Sequence, residues 1–343
     1  MGMLALALAV AVQAVPGAPQ AVPAPAPPPC RRVGEEAFLA IDAEAAARLA
    51  EIGLDRAAIF ARMAETSIPE TMGCWAMPVG NFDGQLVSVG MSQWNYGTGS
   101  LQPVLKAWRD GFRSRGRFKR ALKRLAPTYG KSLFSRDCLK VPVRDKCRNG
   151  ILAAHGPDGK LNPVMLAELG AIFESDAMLQ VQTDAYVALL LEVRADLLRV
   201  FAGQPITMRK VRWAVDTKVQ QGFFPADEDL ARLRTKLAAM PEAERWDRLR
   251  AIFDWYGGLS RSIDQDGVGR DWAWNVAQWR CMIDKGQIDP EQYEMLHLTF
   301  LRSRTAVGNS GRWQALTFSR RAKIVLGVGS VSGKRDGDCA GMG

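Results

Sequence analysis

The sequence predicts a mainly helical chain with one small β-piece, an α+β fold. Three observations carry this. Eight stretches after residue 100 repeat apolar residues at helical spacing, and one Gly-punctuated segment between Gly80 and Tyr96 carries the strand signals instead. Neither an internal repeat nor a second low-complexity linker divides the chain. A length of 343 residues suits one large domain or two ordinary ones, and 48% hydrophobic residues are enough for a sizeable core. The simplest organisation is one folded domain over 30–333, preceded by a targeting segment and spacer over 1–29 and followed by a flexible polar tail over 334–343. Two lobes around a cleft are compatible with that length.

Taken in order, the first 29 residues read as an export signal. Leu4 to Val12 is a continuous apolar run. It is too short for the roughly 20 residues of a spanning helix but of ordinary length for a secretory signal, with cleavage expected after Ala14 or Ala18. No Lys or Arg precedes the run. Ala21 to Pro29 reads as a polyproline spacer. Asp42 caps a helix over 43–52 that Gly53 terminates. Asp55 caps a second from Arg56 to about Thr66, with Ile59, Phe60, Met63 and Ala64 on one face. Ile68-Pro69 predicts its end, because the residue before a proline is pushed out of the helical region. Asn81-Phe82-Asp83-Gly84 is a turn sequence. Leu86, Val87, Val89 and Met91 then predict a short strand or hairpin arm. Helices follow over 101–108, 163–175, 177–201, 207–220, 227–240, 242–255, 272–285 and 290–304.

Charge and cysteine content narrow the setting. A net charge of +9 favours anionic polymers, whether nucleic acid, cell wall or membrane. Six cysteines, an even number, fit an exported disulfide-containing protein, with Cys138 and Cys147 the best pair by proximity. No CxxC occurs, and with only His155 and His297 in the chain no metal site is expected. Asp264-Gln265-Asp266-Gly267 lacks the ligand set of a calcium loop. Secretion or a periplasmic location is the expected outcome, with no cofactor.

The segment from Glu65 to Leu105 carries the chemistry. Glu65 falls in the predicted last helical turn, where unpaired carbonyls disfavour a carboxylate and raise its proton affinity, as a general acid requires. Glu70, after Pro69, would open a short helix and be stabilised as an anion, which suits an acid less well. Asp83 follows Glu65 by eighteen residues in a Gly-flanked turn. Two carboxylates on different elements, beside the polar side chains Thr66, Ser88, Gln93, Asn95 and Thr98, fit hydrolysis of a glycosidic bond. Trp94 and Tyr96, interleaved with the amides, could stack on sugar faces or fill the core.

These residues resemble the active-site region of the lysozyme-like superfamily, in particular its chitosanase-like branch and related bacterial cell-wall-lytic domains. The similarity lies in Glu65-Thr66, in Gly80-Asn81-Phe82-Asp83-Gly84-Gln85, and in the stretch from Ser88 to Pro103 read as SxGxxQWNxGxGxLQP. Weaker similarity continues in Asp216 to Gly222 (DTKVQQG) and Arg320 to Gly333. The turns of that family often read DGQGxSFG, whereas Gln85 is followed here by Leu86-Val87-Ser88-Val89-Gly90. The resemblance implies a two-lobed catalytic domain and a glycoside hydrolase. Glu65 would be the proton donor and Asp83 the partner that positions water in an inverting reaction. Thr66, Ser88, Gln93, Asn95, Thr98, Asp216 and Gln220 would bind substrate. Peptidoglycan, an anionic glycan, is the expected substrate of this basic chain, ahead of polycationic chitosan. A non-catalytic wall-binding or polyanion-binding protein on the same fold is the alternative. The basic run Arg109 to Arg124, RDGFRSRGRFKRALKR, is the one nucleic-acid-like signal, and no nucleic-acid motif accompanies it.

Overall fold

The computed structural model describes residues 30–81, 84–261, 263, 267–306, 310–331 and 334–339. The export signal and spacer, Asp83, and Asp264 to Asp266 therefore lie outside the described residues. The first half of the chain runs α1 (Ala43–Ala50), α2 (Arg56–Thr71), β1 (Ser88–Val89), β2 (Trp94–Asn95), α3 (Leu101–Asp110), α4 (Arg115–Leu125), α5 (Gly130–Leu133), α6 (Asp145–Leu152) and α7 (Pro163–Phe173). The second half runs α8 (Asp176–Val200), α9 (Met208–Gln221), α10 (Asp227–Ala238), α11 (Glu242–Arg261), α12 (Gly267–Asp284), α13 (Pro290–Ser303), α14 (Gly311–Leu326), β3 (Gly329–Val331) and β4 (Lys334–Asp336). The chain is thus mainly α with two small antiparallel strand pairs. The first pairs Ser88 with Asn95 and Val89 with Trp94; the second pairs Gly329 with Asp336.

Local chemistry sets the helix starts. Asp42 accepts from the Ala45 amide at 3.0 Å and Asp55 from the Ala58 amide at 2.8 Å, each satisfying an orphan donor of a first turn. Asp289 and Gln292 form a reciprocal capping box at the start of α13. Burial then divides into two apolar clusters. One gathers α1, α2, most of α8, α9 and α11 to α14 around residues such as Phe60, Trp213, Phe253, Trp279 and Phe318. The other gathers the first hairpin, α3 and α5 to α7 around Tyr96, Trp108, Leu169 and Phe173. Helix α8 contributes Met178 and Val181 to the second cluster and Leu179 and the residues from Tyr186 onward to the first, and Trp94 packs against both.

Three expectations are corrected. First, α2 does not stop before Pro69: it runs to Thr71 and ends at Met72, which adopts a left-handed φ of 54°. Pro69 removes one backbone donor, but the bonds beyond it close normally. The Met72 amide reaches the Ile68 carbonyl, the Gly73 amide reaches that of Ser67, and the buried Thr71 hydroxyl donates to Ser67 O and Cys74 O. A disulfide from Cys30 to Cys74 and a hydrogen bond from the Val33 amide to Gly73 O tie this end to the N-terminal segment. Tertiary anchoring overrides the local cost of the proline. Second, the expected flexible tail is partly structured. Residues 334–336 form β4, and Cys339 is bound to Cys281. Third, α4, α6, α14 and the second strand pair have no counterpart in the elements expected from sequence. The expected Cys138–Cys147 pair is present, with Cα atoms 5.0 Å apart. Among the described residues no helix is long and apolar enough to cross a membrane.

Candidate functional site

Three helices each turn one face to a common cavity of about 790 Å³. From α2 come Arg62, Glu65, Thr66 and Pro69; from α9, Arg212, Val215, Asp216 and Val219; from α14, Arg320, Lys323, Ile324 and Gly327. Apart from Ile68 and Met72 at the end of α2, which also line the cavity, each set steps by i, i+3, i+4 and i+7, the period of a single helix face, with Gly327 the residue that caps α14. Val331 and Asp336 extend the lining from β3 and β4.

Glu65 sits between two guanidinium groups. Arg62, one turn earlier on the same helix, pairs with its Oε2. The Nε of Arg212 donates to Oε1 at 2.7 Å. Burial first, and then the charge of Arg212, hold the Arg62 guanidinium below its ordinary value. Two cations on one carboxylate favour its charged form. Because α2 continues six residues past Glu65, the helix-end argument for a protonated acid does not hold. Glu70, expected in the first turn of a new helix, stands in the last turn of α2 and is paired with Arg320 at 3.2 Å. Thr66, the next residue of the cavity face, shares a 2.9 Å hydrogen bond with the Tyr186 hydroxyl. Burial pushes that phenol well above its ordinary range.

Asp216 is the second carboxylate of the cavity. Arg320 Nη2 donates to its Oδ1 at 2.7 Å and Arg321 Nε to its Oδ2 at 3.1 Å. Desolvation opposes its charge, and the two guanidiniums overcome that and hold it below the ordinary carboxylate range. With both oxygens committed, Asp216 orients Arg320 toward the cavity rather than exchanging protons. Gln220 accepts from Arg321 at 3.1 Å and does not line the cavity.

The expected substrate-binding residues of the first hairpin are not part of this cavity. Ser88 is buried at 4% exposure. Gln93, at a left-handed φ of 50°, donates to Met77 O at 3.1 Å. Asn95 accepts from both the amide and the hydroxyl of Thr98 at 2.8 Å. These bonds hold the hairpin in shape. Gly90 has a φ of 87°, and a Cβ there would lie 2.7 Å from the Trp94 ring and 2.8 Å from Phe173. The Asn81–Leu86 turn is held by Asn81, whose amide bonds to Gly159 O and whose Oδ1 accepts from the Leu86 amide at 2.7 Å.

The structure therefore brings Glu65, Thr66 and Asp216 together and leaves Ser88, Gln93, Asn95, Thr98 and Gln220 outside the cavity. The sequence reading missed Arg62, Arg212, Arg320 and Lys323, the cationic half of the site. Their signal was the shared i, i+3, i+4, i+7 spacing with Glu65 and Asp216. Among the described residues no cluster of three or more His, Cys, Asp or Glu could hold a metal ion. No family model, curated protein or solved structure matches the chain.

Proposed function

We propose that this chain is a glycoside hydrolase that cuts the glycan strand of peptidoglycan, with Glu65 as the proton donor. The observation that carries the reading is the position of Glu65, the one cavity carboxylate with substantial exposure that belongs to the sequence resemblance. Its side chain is 35% exposed, whereas that of Asp216 is 9% exposed. Three further features support it. Glu65 stands on an element of the first apolar cluster, whereas Asn81 is bonded to Gly159 O and Leu86 lies in the second. This separation supports a two-lobed reading of the chain. Leu86 stands where the resembled turns carry glycine, and its backbone keeps a glycine-like φ of 70° while its side chain is buried at 1% exposure. The cavity lining has four cationic residues against three acidic ones, which suits an anionic glycan better than chitosan.

The ion pairs of Glu65 set a condition on the chemistry. An acid must carry its proton, and Arg62 and Arg212 favour its loss. A carboxylate-bearing sugar offers Arg212 a competing partner. Once Arg212 turns to the substrate, Glu65 can take up a proton and deliver it to the leaving oxygen, while Asp83 positions water on the opposite face. The arrangement also favours a second reading. If Arg212 stays on Glu65 when ligand binds, the cavity holds anionic glycan without cutting it. Digestion of purified peptidoglycan, followed by mass spectrometry of the soluble products, separates the two. New reducing ends support hydrolysis. Anhydro ends would assign lytic transglycosylation, and wall binding without products would assign the binding protein.

A further inference from the structure

The strongest charge asymmetry of the molecule lies away from the cavity. Residues 101–150 hold fifteen Lys and Arg against three Asp, a larger excess than the +9 of the whole chain. The remainder is slightly acidic. Helix α4 is the centre of this region and has no buried residue. The seven basic residues from Arg113 to Arg124 are all exposed, and none carries an acid partner among the ion pairs of the described residues. At about 100° per residue, the six on α4 cover an arc of roughly 200°. Phe118, Ala121, Leu122 and Leu125 occupy the other arc and pack into the second apolar cluster.

We infer that α4 and its flanks form a docking surface for a flexible linear polyanion, read by charge alone. The geometry selects this occupant over two others. A helix that lies on a bilayer needs an apolar face turned to lipid, and the apolar face of α4 is turned to the protein. A single-stranded nucleic-acid surface needs free aromatic platforms. Here Phe112 and Phe118 are held edge-on to Trp108, with ring centroids at 5.0 and 5.7 Å. What remains is an arc of cations too wide for a flat surface and suited to a chain that can wrap around it. Binding there does not depend on the hydrolase reading, because none of these residues lines the cavity.

Long-chain inorganic polyphosphate is the probe, titrated into the full protein between 50 and 200 mM salt. Charge-only binding weakens with salt in proportion to the contacts made, by about 0.7 in log–log slope per neutralised charge for a single strand. A variant combining Arg115→Gln, Lys119→Gln, Lys123→Gln and Arg124→Gln alters only exposed side chains. It should lower the slope by about 3, so that wild-type affinity falls about fifty-fold more than the variant's over this range. Glu65→Gln should bind like wild type. Equal slopes in wild type and the fourfold variant would overturn the proposal. So would tighter retention by phosphatidylglycerol vesicles at the same salt, or tighter binding of a homopyrimidine DNA strand of equal charge.

Discussion

Asp216→Asn is the sharpest structural perturbation this molecule offers. The wild-type carboxylate is 9% exposed and takes guanidinium donors from Arg320, itself 14% exposed, and from Arg321, which is fully buried. Asparagine preserves the shape but turns an NH2 group toward one of those donors and leaves the two cations sharing only Glu70, which reaches Arg320 alone. Breaking a buried pair from one side costs about 3–5 kcal/mol. The lower end applies here because Glu70 keeps one guanidinium paired, so a loss of about 3 kcal/mol is expected in urea unfolding at pH 7. The pH dependence fixes the cause. The folded-state pKa of Asp216 is depressed. Its contribution is therefore complete above the unfolded value of about 3.9 and is lost as pH falls through the folded value below that. The gap between wild type and variant should stay constant from pH 7 to about 5 and narrow in acid below about pH 4. A gap under about 1 kcal/mol at pH 7, or one that persists unchanged at pH 2, would refute the reasoning.

Three other perturbations test separate parts of the account. Arg212→Gln removes one of the two cations on Glu65 and should move the optimum of hydrolysis to higher pH; an unmoved optimum would detach Arg212 from the proton transfer. His297 is held at a pKa of about 4, first by burial and then by the charges of Arg248 and Lys236, against a hydrogen bond to Tyr293 O that raises it. The unfolded chain takes up this proton first, so stability should fall by about 3 kcal/mol between pH 6.5 and 4. A His297 imidazole resonance titrating near 6.5 in the folded protein would contradict this. Gly90→Ala combines a positive φ with contacts under 3 Å to Trp94 and Phe173 and should lower stability by about 2 kcal/mol or more in thermal unfolding. A change below 1 kcal/mol would show that the hairpin shifts to admit a methyl group.

Much of the helical frame was legible, because caps and apolar periodicity are local. Asp42, Asp55 and Pro290 mark their helices in sequence and in structure alike. The end of α2 was not legible, since the bonds that carry it past Pro69 come from Thr71, Cys74 and the segment at 30–33, forty residues away. Helix α4 was hidden by its composition, in which charge masks a narrow apolar face that packs on Trp108. In the site, Glu65 and Asp216 could be read as carboxylates, but their environment could not. Arg212 meets Glu65 across 147 residues and Arg320 meets Asp216 across 104. The hairpin polar residues looked like sugar ligands because amides and hydroxyls serve substrate and backbone equally well. Only the partners, Met77 O for Gln93 and Thr98 for Asn95, show which they serve.

The central claim is that Glu65 delivers the proton that breaks a glycosidic bond, and Glu65→Gln tests it most directly. Glutamine keeps the length and the polar contact but cannot donate that proton. Release of reducing ends from purified peptidoglycan should fall at least a hundredfold, while the unfolding midpoint stays close to wild type. Turnover at the wild-type rate by a folded Glu65→Gln protein would remove Glu65 from the chemistry and the account with it.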